Sequence, residues 1–88
     1  MKVIKKDGRI QEFNKDKIYT SIYNASRNSS SGILNESDAK IIVEDIDKKL
    51  KSIRKDEELT SIYEIIGVIV SILKEDGFTE LLKTYLGY

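Results

Sequence analysis

The segment from Ile62 to Lys74 is apolar on nearly every side, and that limits what the rest of the chain can do. Ile62, Ile65, Ile66, Val68, Ile69, Val70, Ile72 and Leu73 cover almost the whole circumference of a helix drawn through them, and such a helix is stable only where neighbours surround it. The β-branched content would also suit a strand. About thirteen residues, opened by the capping-box pattern Ser61-Ile62-Tyr63-Glu64 and closed before Gly77, fit a helix better. The chain has 88 residues, room for a single domain over residues 1–88, so the surrounding helices must come from the same short sequence.

Three further segments can supply them. From Lys15 to about Arg27, Ile18, Ile22 and Ala25 recur at the spacing of one buried stripe. Asn28-Ser29-Ser30-Ser31-Gly32 breaks that helix. After Asn35, Glu36 and Asp38 complement the positive end of a helix dipole, and Ala39, Ile42, Val43, Ile46, Leu50 and Ile53 trace a long apolar stripe opposite a charged, solvated face. Lys55-Asp56-Glu57-Glu58 reads as a polar connector, and Glu80 to Leu86 as a short fourth helix. Gly67, inside the third helix, predicts the close approach of a neighbouring helix.

The N-terminal residues follow a different rule. Asp7-Gly8 reads as a two-residue turn with positive φ at both central positions, so Lys2–Lys6 and Arg9–Phe13 pair as antiparallel strands. In that register Lys6 faces Arg9. Val3, Lys5, Ile10 and Glu12 share one face, and Ile4, Lys6, Arg9, Gln11 and Phe13 the other. Neither face is purely apolar, and a lone hairpin is marginal in water, so the hairpin must lean on the helices. The predicted class is α+β, an N-terminal hairpin covering a bundle of about four helices.

This hairpin also carries the chemistry. Asn14 suits an N-cap, and Lys17 falls on the first helical turn, where free backbone N–H groups favour an anion. A cation there is misplaced by roughly 0.3–1 kcal/mol against the helix dipole, a strain that a phosphate would relieve. Lys5, Lys6 and Lys17 therefore read as a phosphate cradle. The plainer reading makes Lys5 and Lys6 the usual protection of an edge strand, and Lys17 a solvated helix residue.

Composition narrows the function. Histidine and cysteine are absent, which removes disulfides, thiolate or imidazole metal sites and the commonest general base, and argues against an enzyme. No G-x-x-x-x-G-K-[ST] loop is present. Glu64 and Asp16 are the carboxylates nearest to a Mg²⁺ role, but nothing in their spacing singles out a metal site. Lys2, Lys5, Lys6, Arg9, Lys15 and Lys17 outnumber Asp7, Glu12 and Asp16 at one end of a chain whose formal charge is zero. One basic end suits a small anionic ligand better than a nucleic-acid backbone. No run approaches a membrane span, and Met1-Lys2 leads into a strand without a secretory pattern, so a cytoplasmic location is expected. Tyr19, Tyr23, Tyr63, Tyr85 and Tyr88 are spread without a stacking platform and read as packing and interface residues.

The pattern as a whole resembles the ATP-cone, a regulatory nucleotide-binding module of ribonucleotide reductases and of a repressor of their genes. Val3-Ile4-Lys5-Lys6-Asp7-Gly8, four residues, then Phe13-Asn14-Lys15-Asp16-Lys17-Ile18 are similar to the family's opening motif. Gly77-Phe78, Leu81-Leu82-Lys83, Tyr85 and Tyr88 are similar to its closing motif. Lys6 stands where the family commonly has arginine, and Leu82 where it has a small residue. The family commonly continues with arginine where this sequence ends at Tyr88, so the chain reads as either a free-standing cone or an excised piece.

The resemblance implies ATP or dATP, with Mg²⁺, held between hairpin and helices. It implies phosphate contacts from Lys5, Lys6 and Lys17, and an adenine slot formed by Val3, Phe13, Ile18, Ile62 and Ile65, with Gln11 as a polar contact. These apolar residues also have the plain reading of ordinary core. The implied function is a non-catalytic switch controlling association with itself, as a homo-oligomer, or with a ribonucleotide reductase subunit. A ligand-independent helical interaction module, using the third helix and the Tyr85-Leu86-Gly87-Tyr88 tail, is the alternative. A nucleic-acid-associated regulator ranks third, because the cysteines of a zinc ribbon are missing.

Overall fold

Chain order in the computed structural model is β1 (Lys2–Ile4), β2 (Ile10–Glu12), α1 (Lys15–Arg27), α2 (Glu36–Arg54), β3 (Leu59–Ser61), α3 (Ile62–Glu75) and α4 (Thr79–Leu86). The structure describes residues 1–29, 32, 34–55 and 57–87. Ser30 and Ser31 of the expected loop, Asp56 of the connector and Tyr88 of the closing motif lie outside the described residues. The α+β class holds, with a three-stranded sheet and four helices.

Helix α3 is the centre of the core, with Ile65, Val68, Ile69, Ile72 and Leu73 buried. They pack with Ile18 and Ile22 of α1, Ile42, Val43, Ile46 and Leu50 of α2, and Leu81 of α4. Two expectations fail here. Gly67 is exposed and a Cβ at that position would meet nothing within 4 Å, so no helix approaches it closely. Ile53, on the last turn of α2, is 52 % exposed, so the buried stripe of that helix ends at Leu50.

The helix starts follow their caps. Asn14 Oδ1 accepts the Asp16 N–H at 2.9 Å, and Asn35 Oδ1 accepts the Asp38 N–H at 2.7 Å. Ser61 Oγ accepts the Glu64 N–H at 3.2 Å. The Glu64 carboxylate does not complete a capping box. It takes Nε and a terminal nitrogen of Arg54 at 2.6 and 2.8 Å, and the Thr60 hydroxyl at 2.7 Å. A bidentate pair across the α2–α3 junction outweighs a single bond to a backbone N–H.

The turn corrects the predicted register. Gly8 N–H donates to Lys5 O at 3.0 Å and Lys5 N–H to Arg9 O at 2.7 Å, so Lys6-Asp7-Gly8 form a three-residue loop. Only Gly8 has positive φ, at 87°, while Asp7 does not. That is a turn followed by a glycine bulge, the next commonest hairpin connection after the two-residue turns. Lys5, not Lys6, therefore faces Arg9. Val3 pairs with Gln11 and Ile4 with Ile10. The one-residue slip exchanges the faces of the second strand, moving Gln11 to the inner side with buried Val3 and turning Ile10 and Glu12 outward.

Strand β3 was not expected. Leu59–Ser61 pairs parallel to β1, after the crossover through α1 and α2 that a parallel pair requires. Thr60 is buried on its inner side. The sheet order is β2-β1-β3, and its inner face, bearing Val3, Gln11 and Thr60, lies over α1 and α3.

Candidate functional site

Between the inner sheet face and the helices lies a cleft of about 150 Å³. The sheet and the strand that leaves it contribute Val3, Lys5, Gln11, Glu12 and Phe13, and Asn14 sits at the corner. Helix α1 adds Lys17, Ile18 and Ser21, α3 adds Ile62, Ile65, Ile66 and Ile69, and α4 adds Tyr85. Lys17, Ile18 and Ser21 share a face because they are three and four positions apart. For the same reason Ile62, Ile65, Ile66 and Ile69 form one apolar wall.

Eight of the nine residues expected at a site thus line one space: Lys5, Lys17, Val3, Gln11, Phe13, Ile18, Ile62 and Ile65. Lys6 is the ninth, and it lies outside the cleft. The three-residue turn places it in the loop, on a depression of about 230 Å³ lined by Lys5, Lys6, Asp7, Arg9 and Ile62. That depression and the cleft share Lys5 and Ile62. On the other side an open hollow of about 600 Å³ shares Gln11, Glu12, Phe13, Asn14 and Lys17 with the cleft and adds Lys15, Asp16, Asp47 and Lys51.

Charge is unevenly satisfied around this space. Lys15 Nζ lies 2.8 Å from Glu44 and 3.9 Å from buried Asp47, whose other partner is Lys51 at 3.2 Å. The bond to Lys15 holds the Glu44 carboxyl below the usual range and raises Lys15. Among the described residues, Lys5, Lys6 and Lys17 form no ion pair. Two of these cations, Lys5 and Lys17, line the apolar slot, and Lys6 stands in the neighbouring depression, an arrangement suited to an anion with a flat apolar body. At the inner end, burial pushes the Tyr85 hydroxyl up, with the Ser21 side chain beside it working the other way. Among the described residues no group of three or more acidic side chains is placed to hold a metal ion.

Some lining residues escaped the sequence reading. Ser21 is Lys17 plus four, and Ile66 and Ile69 are Ile62 plus four and plus seven, so helical spacing from residues already chosen leads to them. Asn14 was read only as a cap. Tyr85, part of the closing motif but not among the residues expected at a site, enters from α4, far along the chain. Tyr19 and Tyr23 stack with centroids 6.1 Å apart, away from the cleft lining, so two tyrosines pair where none was expected to.

A small α+β domain, its sheet roofing a helical bundle over a slot rimmed with lysines, is the class this architecture defines. The chain belongs to the ATP cone domain family, whose model matches residues 1–88. It is also 33% identical over 91 residues to a vitamin B12-dependent ribonucleoside-diphosphate reductase of Thermoplasma acidophilum. That alignment takes in 98% of this chain and 11% of that protein, so the chain spans only a small part of the relative's length. ATP cone domains are regulatory, non-catalytic modules that bind adenine nucleotides. No helix among the described residues is long and apolar enough to cross a membrane.

Proposed function

We propose that this chain binds ATP or dATP in the cleft and that occupancy sets its association with a second copy of itself or with a ribonucleotide reductase subunit. Lys5, Lys6 and Lys17 contact the phosphates. Val3, Phe13, Ile18, Ile62 and Ile65 enclose adenine, and Gln11 meets its polar edge. Mg²⁺ arrives with the nucleotide. The observation that carries the reading is that Lys5 and Lys17, which form no ion pair among the described residues, line one cleft together with Val3, Gln11, Phe13, Ile18, Ile62 and Ile65.

The size of the cleft fits this division of labour. A cleft of about 150 Å³ is too small for a whole nucleotide, so the reading puts a base in it and the phosphates at its mouth. Each lysine at about 4 Å from a phosphate charge gains on the order of 4 kcal/mol at an effective dielectric near 20, before desolvation. Switching requires the two nucleotides to favour two states by different amounts, with couplings of about 1–3 kcal/mol typical.

The test is calorimetric titration of ATP and dATP into the chain and into Lys5→Ala/Lys17→Ala. The double variant is expected to lose at least 100-fold in affinity, about two charge-assisted contacts, with helix content unchanged. Unchanged affinity would reject the phosphate site. Light scattering with and without each nucleotide is expected to show a mass change. A mass that ignores the ligand would favour a plain interaction module.

A further inference from the structure

Beyond Lys5, Lys6 and Lys17, the geometry points to Arg9 as a phosphate-counting residue: its guanidinium binds the end of the polyphosphate and makes the site prefer nucleoside triphosphates over monophosphates. This rests on the nucleotide reading above and says which way the ligand lies.

The register supplies the first part of the argument. Val3 and Gln11 are paired and line the cleft. Side chains alternate along a strand, so Lys5 and Arg9, two positions on and opposed through the Lys5 N–H to Arg9 O bond, face the same way. A two-residue turn would have turned Arg9 outward. The bulge at Gly8 is what brings it to the ligand side.

The second part is electrostatic. The cleft adjoins two open depressions. Toward the turn, Lys5, Lys6 and Arg9 stand against Asp7 alone, a balance of +2. On the other side Lys15, Lys17 and Lys51 share the hollow with Glu12, Asp16 and Asp47, so its side-chain charges sum to zero although Lys17 itself forms no ion pair among the described residues. A polyanion leaving the base slot is drawn to the turn, and the depression there, about 230 Å³, adjoins the cleft at Lys5 and Ile62, which line both.

Arg9 is also held ready. Its own N–H donates to one Asp7 carboxylate oxygen at 3.1 Å and its Nε to the other at 2.6 Å. The two terminal guanidinium nitrogens have no partner among the described residues. Asp7 fixes one edge of the fork and leaves free the donors that bind a phosphate bidentately. The lysines along the path do not distinguish the last phosphate from the first. Arg9, at the far end, meets only a long one.

The test compares ATP, ADP and AMP by calorimetry on the wild type, Arg9→Gln and Lys2→Gln. Lys2 is an exposed cation on the outer sheet face and controls for general charge. Arg9→Gln is expected to weaken ATP roughly five- to tenfold, ADP less, and AMP by less than about twofold, the size of one exposed charge-assisted contact. Lys2→Gln is expected to leave the ATP-to-AMP ratio where it was. An equal loss for all three nucleotides would make Arg9 a mere staple of the turn and overturn the inference, as would no loss at all. Wild-type chain that binds none of the three would bring down the nucleotide reading itself.

Discussion

Lys55 is the one described non-glycine residue with positive φ, 49° with ψ −110°. It closes α2, with its N–H on Lys51 O at 2.6 Å. A side chain in that region costs about 1–2 kcal/mol, which glycine avoids at the expense of a looser unfolded chain. Lys55→Gly is therefore expected to raise stability by roughly 0.5–1 kcal/mol, read as a shift of the urea midpoint without a change of slope. No sequence signal marked that position, because lysine is a normal residue at a helix end. Asp47 is a similar case: it sits among the charged residues of α2 yet is 6 % exposed, and while Lys51 pairs with it one turn along the same helix, the approach of Lys15 from α1 is visible only in the tertiary fold. On α1 the third buried residue is Ser26, not Ala25, since its hydroxyl donates to Tyr23 O at 2.6 Å and accepts the Leu34 N–H at 3.2 Å.

Elements were legible where they are long and periodic, and obscure where they are short. The four helices stand within a residue or so of their expected limits, because caps and apolar stripes repeat over several turns. Strand β3 has three residues, too few for an alternation to show. The hairpin was found, but its turn was read one residue short, and with a side-chain period of two that inverted one strand. The junction of α2, β3 and α3 is fastened by Arg54 and Glu64, and this bond is the main reason the Glu64 carboxyl lies below the usual range. A depressed carboxylate contributes stability that is complete above its unfolded value, about 4.3, and is lost as pH falls through the folded one. Glu64→Gln is accordingly expected to lower the thermal midpoint at pH 7. The gap to wild type should close progressively as pH is lowered from about 4.3. A gap that is the same at pH 7 and pH 3 would mean that the charge of Glu64 does not fasten the junction.

For the whole molecule, one core built from all four helices holds a sheet whose inner face is left partly uncovered, and the cleft is that uncovered part. Helical spacing alone marks Ile18, Ile62 and Ile65 as ordinary core, and the adenine reading of these residues with Val3 and Phe13 comes from the resemblance to the ATP-cone. The cationic half was legible because lysines clustered at one end of a chain with zero formal charge. What could not be read was where each lysine lies relative to the turn, since that depends on one residue of register. Lys6 moved out of the cleft, and Arg9 came to its side of the sheet.

The most direct test of the central claim is an amide chemical-shift titration of the ¹⁵N-labelled chain with ATP. The largest changes are expected at Val3, Lys5, Gln11, Phe13, Lys17, Ile18, Ile62 and Ile65, with the outer face of α2 around Lys40 and Ile41 unmoved. Shifts confined to α2, or no shifts at saturating ATP, would contradict it.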